Sequence, residues 1–169
     1  AMSSSEIKEL ADNYLNGAKI FRGKAKYFTD KMPNNFRHIA LIRLMFPNAK
    51  IIDARRDPMD TCFSCFKQFF ARGQLFTYSL EDLGNYYSDY IRAMNHWQNV
   101  YGKDIYIVHY DNVINKTEET IRELIDYCEL PFEKECLEFY NSSRPVKTPS
   151  AEQVRQPIYK SGLNYWKNY

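Results

Sequence analysis

The sequence predicts an α/β fold in which a parallel sheet is flanked by helices. Two short apolar runs, residues 49–54 and 104–110, have the length and composition of strands, and a helical pattern follows each of them. Short connections between strand, helix and strand favour parallel packing. A chain of 169 residues is long enough for one domain with a sizeable core. We therefore expect a single domain over residues 1–169.

Composition and charge argue against several classes of protein. The charged fraction of 26% and the hydrophobic fraction of 44% are ordinary for a globular domain. A net charge of +2 does not suggest a general nucleic-acid binder. No apolar run approaches the roughly 20 residues that span a bilayer, and no signal peptide is visible. We therefore expect a cytoplasmic protein with neither a nucleic-acid nor a membrane partner.

The chain begins with a predicted helix over residues 3–15. Ser5 is its expected N-cap, and its apolar side chains recur at helical spacing. Gly17 is expected to end this helix. A short strand is then predicted over residues 25–29.

Two further helices are predicted on either side of the first apolar run. Asn35 is expected to cap the earlier one, which is apolar on several sides and is therefore predicted to be buried against the sheet. Pro58 suits the first turn of the later one, because its missing N–H costs nothing there and its φ is already helical. This later helix is expected to run to about residue 70.

The second half of the chain is predicted to be mainly helical. Residues 79–101 form a long helix whose aromatic stripe indicates core more than a substrate platform, and Gly102 ends it. Asn115 and Glu118 have the spacing of a capping box at the start of the next helix. The remaining expectations are a short helix over residues 133–140, a long loop over 141–157 and a final short helix that holds Leu163 and Trp166.

Cys62 and Cys65 have the spacing of a redox or metal-binding pair. They fall within a predicted helix, and four cysteines in this length do not make a disulfide framework. The sequence therefore favours small buried thiols in a reducing cytoplasm over a metal or redox site.

Basic and polar residues surround the end of the first predicted strand. Arg56 follows that strand, a helix begins directly afterwards, and Ser64 lies two turns into the helix. The N–H groups at a helix N-terminus attract anions, and Arg supplies a planar fork of donors. Tyr110 ends the second predicted strand, and ligands of parallel sheets bind beyond such ends. This pattern predicts a phosphate or nucleotide site at that edge.

The spacing of Arg56, Asp57, Pro58 and Ser64 resembles the 3'-phosphate-binding part of sulfotransferases that use 3'-phosphoadenosine-5'-phosphosulfate (PAPS). The preceding Lys-Met-Pro-Asn of residues 31–34 resembles the branch that contains protein-tyrosine sulfotransferases and bacterial relatives with helical repeats. So do Phe-Pro-Asn-Ala-Lys of residues 46–50, and Arg-Gln-Pro-Ile-Tyr of residues 155–159 followed by Trp166. The resemblance implies a P-loop NTPase-like sulfotransferase fold and transfer of a sulfuryl group from PAPS to a hydroxyl or amine, without a metal.

The resemblance also implies roles for particular residues. Lys31 and Ser150 would be catalytic, Lys31 by neutralising charge on the bridging oxygen. The residues implied to contact the nucleotide are Arg56, Ser64, Tyr110, Arg155, Gln156 and Tyr159. On local sequence, the alternatives are a solvated surface lysine for Lys31, a structural salt bridge for Arg56 and a core position at a strand end for Tyr110.

Three departures from the family pattern affect this interpretation. Gln68 stands where protein-tyrosine sulfotransferases have a second Arg, and Lys67 or Arg72 could replace that charge. Tyr165 stands where some relatives have Lys. The Gly/Ser/Thr-rich loop for the 5'-phosphosulfate has no match, since its best candidate, residues 17–23, contains neither Ser nor Thr.

The loop is missing, and the general base that follows it in the family would be missing too. We therefore expect this chain to be the C-terminal portion of a larger domain. The alternative is a non-catalytic fragment or degenerate domain that binds a nucleotide or a partner without turnover. A nucleotide kinase is disfavoured because the Gly-x-x-x-x-Gly-Lys-Ser/Thr loop is absent from the sequence. The acceptor, whether a small molecule, a glycan or a peptide tyrosine, is not selected by the sequence, and neither is the oligomeric state.

Overall fold

The computed structural model describes residues 2–70, 73–142, 152–158 and 163–168. The chain divides into two compact units. The first contains residues 1–49 and 90–100, and the second contains residues 50–89 and 101–169. The assignment of residues 1–169 to one domain that is part of a larger one stays a prediction.

The first unit contains helix α1 (Ser4–Arg22), which is longer than predicted. Ser3 rather than Ser5 is its N-cap, and Ser3 forms a capping box with Glu6. The helix continues through Gly17, because one glycine costs only about 1 kcal/mol within a helix that has other stabilising contacts. It ends at Gly23, whose φ of +58° is the backbone conformation that favours glycine.

The first unit also differs from the prediction after α1. Residues 25–29 form no strand. The helix expected from Asn35 is a 3₁₀ helix (Pro33–His38) followed by helix α2 (Ile39–Met45). The prediction that this segment is buried on several sides is wrong in part, since Ile39 is 3% exposed whereas Leu44 is 59% exposed. Its apolar side chains therefore pack along one side only.

The second unit holds the parallel sheet. Strand β1 (Ile51–Arg55) is followed by helix α3 (Pro58–Lys67), and strand β2 (Ile105–His109) is followed by helices α5 (Tyr110–Asn115) and α6 (Thr117–Tyr127). The two strands pair in parallel from Ile51 opposite Ile105 to Arg55 opposite His109. This pairing confirms the predicted α/β class.

Helix α4 (Leu80–Tyr101) agrees closely with the prediction. It lies between the two strands in sequence and contributes residues to both units, with residues 90–100 in the first. Its apolar stripe is core, since Met94 is 1% exposed and Trp97 donates from its indole nitrogen to the Phe36 carbonyl at 2.7 Å. Gly102 follows with a φ of +52°, as a helix-ending glycine requires.

Three predicted boundaries in the second unit are wrong. Helix α3 ends at Lys67 rather than near residue 70. Asn115 caps no helix, because the chain turns from β2 directly into α5 and Asn115 is the last residue of that helix. Residues 133–140 form no single helix but 3₁₀ turns at Lys134–Cys136 and Phe139–Asn141.

The late part of the chain has two further short 3₁₀ helices, Gln153–Arg155 and Tyr165–Asn168. The second of these confirms the predicted final short helix at Trp166 but begins after Leu163, which was expected to lie within it. Among the helices that the structure describes, none is both long and apolar enough to cross a membrane.

Tyr127, at the end of α6, contacts backbone groups at the beginnings of both strands through its hydroxyl. Its hydroxyl donates to the Asp104 carbonyl at 2.7 Å and lies 3.1 Å from the Ile51 carbonyl. The same hydroxyl accepts the Ile51 N–H at 3.2 Å. One hydroxyl therefore satisfies backbone groups of β1 and of the segment leading into β2, which aligns the two strands at their amino ends.

We expect Tyr127→Phe to lower the free energy of unfolding by about 1–3 kcal/mol, because it leaves half-buried backbone groups without their partner. Urea denaturation measures this loss. Tyr106→Phe is the matched control, since the Tyr106 hydroxyl contacts only the exposed Glu123 carboxylate at 3.3 Å among the contacts the structure gives it. Its cost should stay within about 0.5 kcal/mol. Equal losses in the two variants would contradict the role assigned to Tyr127.

Candidate functional site

Arg56 and Tyr110 lie side by side at the carboxyl edge of the sheet. Each is the residue that follows its strand, and the register puts Arg55 opposite His109. The Arg56 guanidinium carbon lies 5.5 Å from the centroid of the Tyr110 ring, which is cation–π distance. This confirms the prediction that both residues share the edge where ligands of parallel sheets bind.

The two arginines at the end of β1 have different partners. The Arg55 Nε donates to the Asp53 carboxylate at 2.6 Å, and Asp53 is 8% exposed. Residues two apart on a strand lie on the same face, so this pair is a feature of β1 itself. Arg56 instead has an ion pair with Asp60, in which Nη2 and Oδ2 are 3.7 Å apart. Arg55 is thus held by a hydrogen-bonded carboxylate, whereas the ion pair of Arg56 is wider than a hydrogen bond.

The N-terminus of α3 has its own carboxylate. Asp57 is the N-cap, and its Oδ1 accepts the Asp60 N–H at 3.0 Å. Pro58, at the first helical position as predicted, has no N–H to offer. An anion at this helix end would therefore compete with Asp57 for the Asp60 N–H, and the expectation that the helix N-terminus contributes to a phosphate site stays a prediction.

Asp60 is a site residue that the sequence reasoning missed. It is 4% exposed, and its Oδ2 accepts the backbone N–H of Asn164 at 3.0 Å in addition to pairing with Arg56. The alternative interpretation of Arg56 as a salt-bridge partner is therefore correct as a contact, and it does not remove Arg56 from the sheet edge. Arg56 precedes the N-cap Asp57 and lies outside α3, so the four-residue spacing between Arg56 and Asp60 gave no helical signal for this pair.

Ser64 lies on α3 one turn beyond Asp60, and its side chain is exposed. Helical spacing puts the two on one side of the helix. Gln68, the C-cap of α3, donates from Nε2 to the Phe69 carbonyl at 3.0 Å. Of the suggested replacement cations, Lys67 has its ammonium 5.5 Å from the Phe63 ring centroid, and Arg72 lies outside the described residues. The role of Ser64 stays a prediction.

Tyr87 on α4 is a second residue near this edge that the sequence reasoning assigned only to the core stripe. Burial raises the pKa of its phenol, and the nearby Cys62 raises it further. Arg55 lowers that pKa, while Asp57 and Asp53 raise it. These effects place Tyr87 within electrostatic range of the end of β1, and they keep its hydroxyl protonated and able to donate a hydrogen bond at neutral pH.

Lys31 belongs to the first unit, whereas the other described candidate residues belong to the second. It is exposed and lies just before the 3₁₀ helix at Pro33–His38. The preceding Asp30 carboxylate accepts a hydrogen bond from the Tyr14 hydroxyl of α1. Burial, that hydrogen bond and the charge of Asp30 raise the pKa of Tyr14 to about 12. The segment that carries Lys31 is thus attached to α1, and the catalytic role of Lys31 stays a prediction.

The late candidate residues are placed only in part. Arg155 donates from Nη1 to the Ser142 carbonyl, and the exposed Gln156 follows the 3₁₀ helix Gln153–Arg155. Ser150 and Tyr159 lie outside the described residues. The assignment of these four residues to catalysis or nucleotide binding stays a prediction.

Comparison with known proteins identifies the family. The model of the sulfotransferase family matches residues 4–134, a range that includes Lys31, Arg56, Ser64 and Tyr110. This chain belongs to the sulfotransferase family, and its small parallel sheet flanked by helices agrees with the α/β fold of that family. The chain is also 39% identical over 166 residues to a protein of Aquifex aeolicus (strain VF5) that is described as uncharacterized. That match covers 96% of this chain and 22% of the relative, so the chain spans about a fifth of the relative's length.

Cys62 and Cys65 lie on α3 as free, half-buried thiols. Burial raises the pKa of both, with further increases at Cys62 from Cys65 and Asp57 and a smaller opposing effect of Arg56 at Cys65. No group of three or more metal-ligating side chains occurs in the part of the chain that the structure describes. A thiol with a raised pKa is a poor nucleophile at neutral pH, as expected of a buried thiol, and the absence of a metal or redox role stays a prediction.

We expect Cys62 and Cys65 to react with iodoacetamide about tenfold more slowly in the folded protein at pH 7.5 than in urea, since burial restricts both access and ionisation. Mass spectrometry of the labelled peptides measures the rates. Because the folded-state pKa lies above the ordinary value of 9.0, the unfolded chain ionises first. The stability that these thiols contribute should be complete below pH 9.0 and fall as the pH rises further. Rapid labelling at pH 7.5 would contradict this assignment.

Proposed function

We propose that this chain provides the donor-binding half of a PAPS-dependent sulfotransferase, which transfers the sulfuryl group to a hydroxyl or amine. The observation that carries the proposal is the juxtaposition of Arg56 and Tyr110 at the paired carboxyl ends of β1 and β2. Membership of the sulfotransferase family supports the transferase class.

The residues at this edge suit the 3'-phosphate of the donor. A guanidinium has five N–H donors in a fixed plane, so Arg56 can pair with Asp60 and with a phosphate at the same time. The Tyr110 ring beside it restricts the plane of the guanidinium. Ser64, one turn beyond Asp60 on α3, would add a hydroxyl donor. The other proposed donor contacts are Arg155, Gln156 and Tyr159, which come later in the chain.

The proposed chemistry needs positioning and charge neutralisation more than covalent participation of the protein. PAPS supplies the activated sulfuryl group and leaves as 3'-phosphoadenosine-5'-phosphate (PAP). Lys31 would neutralise the charge that develops on the oxygen bridging sulfur and phosphorus, with help from Ser150. No metal is needed for this step. The four free thiols support a reducing location, and we propose the cytoplasm.

A second candidate function is binding of the nucleotide without turnover. The observation that favours it is the placement of residues 17–23, the best candidate for a 5'-phosphosulfate loop, within α1 and its C-cap Gly23. A helix interior offers no open N–H groups to a phosphate, because they are bonded within the helix. The two candidates share the 3'-phosphate site and differ only in catalysis.

We expect the chain to bind PAP at least tenfold more tightly than adenosine 5'-phosphate in calorimetric titration, because only PAP carries the 3'-phosphate. Arg56→Ala should weaken PAP binding by about ten- to a hundredfold, as loss of a charge-assisted hydrogen bond costs about 1.5–3 kcal/mol. The same variant should leave the affinity for adenosine 5'-phosphate nearly unchanged.

Arg122→Ala is the matched control for that titration, since Arg122 is exposed on α6 and pairs with Glu118 at 2.7 Å. It should bind PAP like the wild type. A wild type with no preference for the 3'-phosphate, or an equal loss in the two variants, would contradict a donor site at Arg56.

Turnover separates the two candidate functions. If the chain is catalytic, it should release PAP from PAPS above the uncatalysed rate, and Lys31→Ala should slow that release on the order of a hundredfold, the cost of removing one group that stabilises developing charge. The affinity of Lys31→Ala for PAPS should change by less than about threefold, because the bridging oxygen of PAPS does not yet carry the charge that develops in the transition state. Lys24→Ala, an exposed lysine of the same unit, is the control. Binding of PAP without any release from PAPS would support the second candidate.

A further inference from the structure

Asp60 is a buried carboxylate to which the proposed function assigns no contact with the donor. Its side chain is 3% exposed, although burying a charge is unfavourable unless partners compensate for the lost water. Its Oδ2 has two such partners, Arg56 at 3.7 Å and the backbone N–H of Asn164 at 3.0 Å. One carboxylate oxygen thus connects the candidate anion-binding arginine with a segment far along the chain.

We propose that Asp60 is a positioning residue, which holds Arg56 in place at the sheet edge and holds the late segment, residues 163–168, against α3. The anion-binding half of this inference rests on the proposed function. The segment-holding half rests on the hydrogen bond alone, so the two can be tested separately. Nothing in the family comparison assigns either role to Asp60.

The geometry at Arg56 supports the first half. The guanidinium has two neighbours, the Asp60 carboxylate at 3.7 Å from Nη2 and the Tyr110 ring, whose centroid is 5.5 Å from the guanidinium carbon. A long side chain loses rotamer freedom when it binds a ligand, and a side chain that is already restrained loses less. Because 3.7 Å is longer than a hydrogen bond, Asp60 orients the guanidinium without matching the shorter contacts that a phosphate makes.

The geometry at Asn164 supports the second half. Asn164 has a φ of +57°, a conformation that Asn adopts more readily than most residues, and its N–H donates to Asp60. Two residues later, the indole nitrogen of Trp166 is buried with no hydrogen-bond partner among the described residues. The 3₁₀ helix Tyr165–Asn168 contacts α3 directly. The bond from Asn164 to Asp60 is therefore a polar attachment of this segment to α3.

Shared use of one carboxylate links the two halves. An anion that fixes Arg56 beside Asp60 also fixes the acceptor of the Asn164 N–H. By thermodynamic linkage, the factor by which a bound anion favours the ordered form of residues 163–168 equals the factor by which that order raises the affinity for the anion. Binding of PAP should consequently protect Trp166 from solvent.

The test uses Trp166 fluorescence, since the chain has only two tryptophans and Trp97→Phe leaves Trp166 alone. In this background we compare Asp60→Asn with Asp60→Ala. The amide oxygen of Asn can still accept the Asn164 N–H but carries no charge, whereas Ala removes both interactions. Asp126→Asn, an exposed aspartate on α6, is the control. The readouts are the affinities for PAP and adenosine 5'-phosphate, acrylamide quenching of Trp166, and thermal unfolding to establish that each variant is folded.

We expect Asp60→Asn to weaken PAP binding about tenfold and to leave the affinity for adenosine 5'-phosphate and the quenching of free protein unchanged. Asp60→Ala should weaken PAP binding to a similar extent and also increase quenching about twofold. In an Arg56→Ala background, Asp60→Asn should have no further effect on PAP affinity, because Asp60 acts through Arg56. Asp126→Asn should behave like the parent protein.

The two halves of the inference can be overturned separately. The first half fails if Asp60→Asn binds PAP within twofold of the parent, or if its effect persists in the Arg56→Ala background. The second half fails if Asp60→Ala is folded and its Trp166 is quenched no more than in the parent. A parent protein that does not prefer PAP to adenosine 5'-phosphate overturns the proposed function and the first half together, while quenching still decides the second.

Discussion

The parallel register of β1 and β2 is the constraint on which the candidate site depends. With Arg55 opposite His109, the next residue of each strand, Arg56 and Tyr110, must emerge at the same edge. Parallel strands end together at one edge, and that edge is where such folds bind ligands. Tyr127 aligns the opposite end of the same pair through its hydroxyl contacts with backbone groups of Ile51 and Asp104. Hydrogen bonding at the amino end of the sheet thus contributes to the geometry of the site at the carboxyl end.

Three carboxylates lie close to the positive charges of Arg55, Arg56 and the N-terminus of α3 at this edge. Asp53 forms a hydrogen-bonded pair with Arg55 at 2.6 Å, and Asp57 is bonded to the N-terminus of α3. Asp60 is 3.7 Å from Arg56, so this ion pair is weaker than the 2.6 Å pair of Asp53 with Arg55. An incoming phosphate would meet repulsion from all three acids and attraction mainly at Arg56. In the proposed donor site, this arrangement would favour one orientation of an anion over general attraction to the surface, in keeping with the small net charge of the chain.

The fold could be predicted where a local signal acted without a competitor. Apolar runs bounded by proline marked β1, and helical periodicity with a terminal glycine marked α4. Predictions failed where a local signal met a competing one. Gly17 was expected to end α1, but its cost is small beside that of breaking a helix that Gly23 ends with better geometry. Asn115 looked like an N-cap, but the chain was already helical there because α5 follows β2 without a loop.

The candidate site was predictable to the extent that ligand-facing residues follow strand ends. Arg56 and Tyr110 could be placed together from strand order alone. Asp60 could not, because helical spacing applies only within a helix and Arg56 precedes the N-cap Asp57. Its bond to Asn164 joins residues 104 apart in sequence, for which no periodic pattern exists. A motif identifies side chains by their spacing, whereas the buried groups that hold those side chains are determined by segments that meet only in the folded chain. The side chains proposed to face a ligand could therefore be predicted from the sequence, whereas Asp60, the buried side chain that pairs with Arg56, could not.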